Sequence, residues 1–256
     1  MARFVLPAPL PRVNEVVAKK LGIAPERVVP ADVAGDLGCA QVLSMLDAAL
    51  RSAAEGELIL VGAFGSGCDA LVLRRTAKAA PVAPDPFAGG KTERSYLKYL
   101  AFTGQLVPDW GMRAEVDAKT ALTAAWREVG TTERLEAGKC QACGTVQFPK
   151  SRTCVNPRCH RVDTQQPTSL VDVPARVMSY TSDWLGFTPA PPFQFGHVDF
   201  EGGGRILMEF ADADPEELKV GLPLRMVFRV KEFDPKRGFR RYFWKASPAR
   251  ASTRRA

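Results

Sequence analysis

The chain has 256 residues, of which 46% are hydrophobic and 25% are charged, a balance typical of a soluble globular protein. No run approaches the ~18 consecutive apolar residues that a membrane helix needs, which excludes a protein with a helical membrane span. The first residues break at Pro7 before the apolar core of a signal peptide could form. The sequence therefore predicts a cytoplasmic protein.

The formal charge of +7 is concentrated at the C-terminus. Residues 236–256 contain no acidic side chain and eight basic ones, and without these eight the rest of the chain has a formal charge of −1. They are Lys236, Arg237, Arg240, Arg241, Lys245, Arg250, Arg254 and Arg255. The excess charge is thus one basic stretch, and it does not indicate a basic face along the whole protein.

The first hundred residues alternate between strand and helix patterns, which predicts an α/β fold. Apolar runs predict strands at 3–6, 57–63 and 69–74, and apolar residues at helical spacing predict helices at 13–21, 40–54 and 93–100. Gly22 is placed to end the first helix. The Pro-, Ala- and Gly-rich stretch at 77–90 predicts a surface loop.

The second half begins with a helix pattern and then becomes all β. Asp117 is a candidate N-cap for a helix at 117–129, with Leu122, Trp126 and Val129 on one side. After Pro167, short apolar runs alternate with turn signals and predict five strands, at 175–181, 195–200, 205–210, 223–230 and 240–246. Five strands in this length of chain fit a small barrel.

Four of the six cysteines form two pairs between these segments. Cys140 and Cys143 form the first pair, and ten residues separate it from the second pair, Cys154 and Cys159. Clustered cysteines in a chain without an export signal indicate a metal site more than disulfides. Two such pairs give Zn²⁺ four thiolates with no open position, which predicts a structural site. Two alternatives are that the adjacent His160 replaces Cys159 as a ligand, and that the thiols are unrelated.

The stretch from Leu135 through CQACGTVQFPKSRTC to YFWKASP resembles the acyl-CoA-associated zinc-ribbon/OB-fold family. Further matches are Ser179-Tyr180-Thr181 and the segment GGGRILMEFADAD before Val220-Gly221, so the resemblance covers about residues 117–248. It implies a rubredoxin-like zinc ribbon and a β-barrel OB-fold. It also implies a partner from the thiolase superfamily, whose acyl-CoA channel the OB-fold would face.

The first half resembles the C-terminal half of a thiolase-fold enzyme of the hydroxymethylglutaryl-CoA synthase type. The matching pieces are VAKKLGI, GDLGCAQVLSMLDAAL, ELILVGAFGSGCDALVLR and SYLKYLAFTGQL. Such enzymes carry a histidine after the first of these strands, where this chain has Pro7-Ala8-Pro9, and their nucleophilic cysteine belongs to the half that has no counterpart here. Thioester carbon–carbon chemistry needs both groups, so the resemblance implies a thiolase-like unit that is not catalytic alone.

The two remaining cysteines have a structural interpretation. Cys39 lies at a helix entry, where the pKa of a thiol can be lowered, but no histidine lies near it in sequence. Neither Cys39 nor Cys68 matches the position of the family's nucleophile. We predict that both are small buried hydrophobic residues.

The C-terminal strand interleaves basic and aromatic residues. Arg240, Arg241 and Lys245 alternate with Tyr242, Phe243 and Trp244. An edge strand with Phe243 inward and a solvated basic tail is the simplest interpretation. Contact of the three basic residues with acyl-CoA ranks second, and single-stranded nucleic acid ranks third.

The sequence therefore predicts a zinc-containing, non-catalytic subunit that partners a thiolase-superfamily enzyme in making or breaking carbon–carbon bonds on acyl-CoA. The alternatives are the C-terminal part of a longer fused hydroxymethylglutaryl-CoA synthase-like enzyme, and a nucleic-acid-binding zinc-ribbon/OB module. The predicted division is a thiolase-like half at 1–110, a helical connector at 111–135, a zinc ribbon at 136–168, an OB-fold at 169–248 and a basic tail at 249–256.

Overall fold

The computed structural model describes residues 3–8, 10, 12–30, 37–77, 91–107, 109, 122–186, 188, 190–234 and 237–250. These residues fall into two compact units, divided after Ala88. No helix among them is long and apolar enough to cross a membrane. Residues 78–90 of the predicted loop, the predicted N-cap Asp117 and most of the basic tail lie outside the described residues. The cytoplasmic location stays a prediction.

The first unit is an α/β arrangement built on a three-stranded sheet. Its elements are β1 (Arg3–Val5), α1 (Val13–Lys20), α2 (Gln41–Ser52), β2 (Leu58–Phe64) and β3 (Cys68–Arg74). The strand order is β1-β2-β3, with β1 parallel and β3 antiparallel to the central β2. All five elements were predicted. Gly22 has a φ of +68°, so it ends α1 in the left-handed conformation expected for that position.

The core of the first unit lies between the sheet and one face of α2. Met45 and Ala49 of the helix are buried against Val5, Ile59 and Val61 of the sheet. The helix buries apolar residues at helical spacing, and the central strand buries Ile59 and Val61, two positions apart. These two periods are why the sequence predicted both the helix and the strand. The structure supports an α/β unit, and its thiolase-like identity stays a prediction.

The described residues of the second unit begin with three helices. They are α3 (Tyr96–Thr103), α4 (Leu122–Arg127) and α5 (Val129–Glu133). The hydroxyl of Ser95 accepts a hydrogen bond from the N–H of Lys98 at 3.2 Å, which explains why α3 begins later than the sequence predicted. The structure groups α3 with this second unit, whereas the sequence placed it in the thiolase-like half.

The single helix predicted at 117–129 is divided at Glu128, whose backbone leaves the helical region at φ −101° and ψ 22°. The chain then continues as α5 through Gly130 and two β-branched threonines, which are poor helix formers. The indole N–H of Trp244 donates to the carbonyl of Glu133 at 2.9 Å and fixes the end of α5 against the barrel. This tertiary contact was not visible in the sequence.

The ribbon and the barrel form the rest of the second unit. The ribbon strands β4 (Glu136–Cys140), β5 (Val146–Gln147) and β6 (Gln165–Ser169) pair in the order β5-β4-β6. The barrel strands pair in the order β11-β10-β7-β8-β9, and they are β7 (Ala175–Asp183), β8 (Phe193–Phe200), β9 (Arg205–Glu209), β10 (Pro223–Asp234) and β11 (Phe239–Pro248).

The five-stranded sheet closes on itself just after β9. Phe210 forms a bridge with Ala246 of β11, and the N–H of Ala211 donates to the carbonyl of Ala246 at 2.8 Å. The enclosed core is apolar, and Val177, Val198 and Ile206 are among its buried residues. All five predicted barrel strands are present. Strand β10 runs four residues further than predicted because Glu232, Phe233 and Asp234 continue to pair with β11 beyond a bulge.

Candidate functional site

The ribbon brings the four predicted ligands together. Cys140 is the last residue of β4, Cys143 lies in the turn between β4 and β5, and Cys154 and Cys159 lie in the loop that leads to β6. Their Sγ atoms all lie within 4.8 Å of one another. The Sγ atoms of Cys140 and Cys159 are 3.9 Å apart, and those of Cys143 and Cys154 are 3.6 Å apart. No disulfide links any of them.

These distances fit a tetrahedral zinc ion. Four sulfurs at the usual Zn–S distance of about 2.3 Å lie about 3.8 Å apart along each edge of a tetrahedron. The two separations above bracket that value. Since four thiolates fill the coordination shell, the donor set suits a structural zinc ion and leaves no position for a substrate.

The electrostatics of the four thiols show why they suit a cation. The hydroxyl of Thr164, 3.2 Å from the sulfur, lowers the pKa of Cys140 to about 6. The hydroxyl of Thr145 lowers the pKa of Cys143. At Cys154 the backbone N–H of Asn156 acts to lower the pKa of the thiol. Burial and the neighbouring sulfurs outweigh it and raise that pKa to about 12.

Cys159 behaves like Cys154: the N–H of Arg161 lowers its pKa, but burial and two neighbouring sulfurs raise it overall. Two of the four thiols thus ionise readily and two resist. Four negative charges cannot share so small a space unless a cation neutralises them, because like charges at this distance repel strongly. A Zn²⁺ ion removes this conflict by binding all four as thiolates.

One buried side chain ties the two cysteine pairs together. Gln147 on β5 follows the first pair and is only 4% exposed. Its amide nitrogen donates to the hydroxyl of Ser151 at 2.8 Å and to the carbonyl of Thr153 at 3.1 Å, and its amide oxygen accepts from the N–H of Val155 at 2.9 Å. Thr153 and Val155 flank Cys154, so Gln147 holds this cysteine of the second pair against the first pair.

Gln147 and the two threonines were not predicted as parts of the site. The available signals were a polar residue in an apolar strand and a threonine two residues after Cys143. Both are common in sequences, so neither was decisive. His160, the alternative ligand, is exposed and does not belong to the sulfur cluster.

The prediction that Cys39 and Cys68 are buried is wrong. Both thiols are exposed. Cys39 lies in a short 3-10 turn before α2, and Cys68 begins β3, which forms the edge of its sheet. An edge strand has no neighbour on one side, so side chains near its end are accessible to solvent.

The three basic residues predicted to contact acyl-CoA are not gathered at one point. Arg241 and Lys245 share one face of β11, and Arg240 lies on the other, because side chains alternate along a strand. Lys245 pairs with Glu209 at 2.6 Å, and Arg241 pairs with Glu232. Arg240 stacks on the ring of Phe233 at 5.1 Å and donates to the carbonyl of Thr103 at 3.1 Å.

Four of the five basic residues of this stretch that the structure describes pair with upstream carboxylates. In addition to the two pairs above, Arg237 contacts Asp234, and Arg250 forms a 2.7 Å pair with Glu217. The expectation of a solvated basic tail thus fails for Arg250, which is bound to the barrel. Phe243 packs partly buried against the barrel core, as predicted.

Comparison with known families matches the ribbon and the barrel separately. The model of the rubredoxin-like zinc ribbon domain of ChsH2 matches residues 127–163, and the model of the C-terminal OB-fold domain of ChsH2 matches residues 171–229. Both segments lie in the second compact unit. The predicted zinc cofactor and the predicted order of zinc ribbon and OB-fold are confirmed.

Two relatives are DUF35 domain-containing scaffold proteins from archaea. The protein of Pyrococcus furiosus is 30% identical over 113 residues, which are 43% of this chain and 79% of the relative. The protein of Methanothermobacter thermautotrophicus is 27% identical over 132 residues, which are 50% of this chain and 97% of the relative.

A solved structure described as an Ltp2-ChsH2(DUF35) aldolase aligns with this chain at 18% identity and a TM-score of 0.39. The alignment covers 53% of this chain and 100% of that chain.

Proposed function

Because the chain belongs to the DUF35 family through its zinc ribbon and OB-fold, we propose that it is a non-catalytic scaffold subunit of a thiolase-superfamily enzyme that acts on acyl-CoA. The archaeal relatives are named scaffold proteins, which supports a role in assembly. In this proposal Cys140, Cys143, Cys154 and Cys159 bind one zinc ion, which holds the ribbon in shape and takes no part in chemistry.

The observation that carries the docking role is an exposed apolar edge on the first unit. Strand β3 ends its sheet, and its backbone has no strand beyond it among the described residues. Leu71 and Val72 of β3 are 60% and 59% exposed, and Phe64 at the adjoining end of β2 is 72% exposed. Adjacent residues of a strand point to opposite faces, so both faces of this edge carry an uncovered apolar side chain.

Exposed apolar edge strands are uncommon on proteins that function alone, because they pair with other chains. An enzyme subunit that extends this sheet would cover Leu71 and Val72 and satisfy the free backbone groups of β3. We assign the edge to the thiolase-superfamily partner because the sequence resemblance makes this unit half of a thiolase-like arrangement. A contact between the acyl-CoA and the barrel near Lys245 is a separate part of this proposal, and it rests on the sequence resemblance alone.

The ion pairs of the basic stretch argue against the nucleic-acid alternative. Phosphate contacts require free cations along the binding face. Lys245, Arg241 and Arg250 each have a carboxylate partner, so a nucleic acid would first have to displace these pairs.

The docking proposal is tested by light scattering of the full chain, alone and co-expressed with thiolase-superfamily enzymes of the same genome. Alone, the chain should aggregate or self-associate; with its partner it should form a monodisperse complex. Leu71→Lys should abolish the complex, because a lysine on a covered edge strand loses hydration. Val220→Lys is the matched control, since Val220 is similarly exposed, at 68%, but lies in the second unit.

Either of two results would contradict the proposal. One is a monodisperse monomer of the unmodified chain that forms no complex with any such enzyme. The other is a complex that Leu71→Lys and Val220→Lys weaken equally, which would mean that the edge strand has no special part in docking.

A further inference from the structure

A small cleft opens in the barrel between the strand pairs β8–β9 and β10–β11. Its volume is about 260 Å³, and most of its wall is apolar. Four aromatic rings contribute to that wall, those of Phe193, Phe195, Phe243 and Trp244. The cleft lies wholly within the second unit. Binding sites for small molecules usually combine an apolar wall of this kind with a few polar groups.

The polar groups of the cleft are three charged side chains in mutual contact. The carboxylate of Glu209 contacts the ammonium of Lys245 at 2.6 Å and also that of Lys231. Glu209, Lys231 and Lys245 are the charged residues among the described residues that line the cleft. One carboxylate and two ammonium groups leave one uncompensated positive charge.

Two of the three charged groups are held away from bulk water. The side chain of Glu209 is 12% exposed and that of Lys245 is 19% exposed, whereas that of Lys231 is 45% exposed. Removing an ion from water is costly unless other charges or hydrogen bonds compensate for the loss. Burial opposes the ionisation of Glu209, yet the two ammonium groups together lower the pKa of its carboxyl below the ordinary value. The carboxylate is thus charged at neutral pH, and the cluster has a net charge of +1.

We propose that this cleft binds a small molecule in which one carboxylate is attached to an apolar body. The carboxylate lies at the ammonium groups of Lys231 and Lys245, where its single negative charge matches the excess. The apolar body lies against the aromatic wall. A phosphate group fits less well, because it carries up to two negative charges and the cluster has an excess of one positive charge.

The volume sets the size of the ligand. It equals that of roughly nine water molecules at liquid density, and it is slightly smaller than the pockets that hold drug-sized ligands. An acid of about ten non-hydrogen atoms, such as octanoate, fills it. A larger cleft of about 790 Å³ adjoins it and shares Phe193, Glu209 and Lys245, so a longer body has space to extend.

This inference goes beyond the scaffold role, because the site is complete within one chain and needs no partner enzyme. It also differs from acyl-CoA binding. The acyl end of a thioester is uncharged, so octanoyl-CoA would not use the excess charge of the cluster.

Calorimetric titration of the full zinc-loaded chain with octanoate tests the proposal, with octanamide as the uncharged probe of the same shape. We expect a dissociation constant for octanoate below about 1 mM, which is ordinary efficiency per atom for a ligand of this size. Octanamide and the acyl end of octanoyl-CoA should bind at least about tenfold more weakly, because they lack the charge-assisted hydrogen bonds.

Substitutions in the cluster should move the affinity in opposite directions. Lys245→Met should weaken octanoate binding about tenfold or more, because it removes one ammonium group. Glu209→Gln should tighten binding about tenfold, because it removes the carboxylate that competes for both lysines. Lys219→Met is the matched control, since Lys219 is exposed and lies outside the cleft, and it should leave the affinity unchanged.

If Lys245→Met folds poorly, Glu209→Gln still tests the proposal, because a misfolded variant would not bind octanoate more tightly. Failure of octanoate to bind at millimolar concentration would overturn the proposal, and so would equal affinity for octanamide. An affinity that does not rise in Glu209→Gln would overturn the assignment of the charge cluster. None of these measurements involves a partner enzyme, so their outcome does not test the scaffold role, which the docking experiment tests separately.

Discussion

The strongest test of the metal centre is a substitution beside it, Gln147→Leu, which leaves all four cysteines in place. Leucine keeps the approximate size of the side chain but removes its hydrogen-bonding groups. The hydrogen bonds to Ser151, Thr153 and Val155, at 2.8, 3.1 and 2.9 Å, are all lost. The loop that carries Cys154 is then no longer anchored to β5.

The expected loss can be estimated from these contacts. Each of the three hydrogen bonds has a net value of about 1 kcal/mol, so the loss of stabilisation is at most about 3 kcal/mol. Ser151 and Thr153 are exposed, so water can replace part of the lost hydrogen bonding. Partners of metal ligands typically contribute 10- to 100-fold to metal affinity, or about 1.4 to 2.8 kcal/mol. We therefore expect zinc affinity to fall by about 10- to 100-fold.

Competition with a colorimetric zinc chelator at neutral pH measures this affinity. Gln166→Leu is the matched control, because it makes the same chemical change on β6 of the same ribbon, where the glutamine is exposed. If the two variants release zinc at chelator concentrations within threefold of each other, Gln147 does not hold the second cysteine pair, and the reasoning is refuted.

Three further predictions concern the ribbon and the barrel. Purified protein should contain about one zinc ion per chain by elemental analysis, and Cys143→Ser should lose it and unfold the ribbon; iron, or no metal in fresh protein, would contradict this. Trp244→Phe should reduce the free energy of unfolding by about 1 kcal/mol through the lost bond to Glu133, whereas Trp126→Phe, at an exposed residue, should have almost no effect on the melting temperature. Because the pKa of Glu209 is lowered on folding, its ion pairs stabilise the protein above the ordinary glutamate pKa of 4.5 and are lost as the pH falls through the lowered value. The difference in unfolding free energy between the wild type and Glu209→Gln should therefore shrink in denaturation series taken from pH 6 towards pH 3, and a constant difference would show that Glu209 is not ionised in these pairs.

Local features of the sequence were sufficient for the metal centre and for most secondary structure. The spacing of Cys140, Cys143, Cys154 and Cys159 reflects the reach of two tight turns, which few residues determine. The alternation of apolar residues in the barrel strands and the helical spacing in α2 follow from periods of 2 and 3.6 residues. Each of these signals arises from residues that are near one another in the chain.

Only the tertiary structure decided which charges are free and which side chains are exposed. The ion pairs of Lys245 and Arg250 could not be recognised, because their partners Glu209 and Glu217 belong to strands and loops that are distant in sequence. Cys68 could not be recognised as exposed, because nothing local shows that β3 ends its sheet. Ion pairs and burial depend on which elements become neighbours in the fold. The sequence pattern of a single element does not indicate which elements will pack against it.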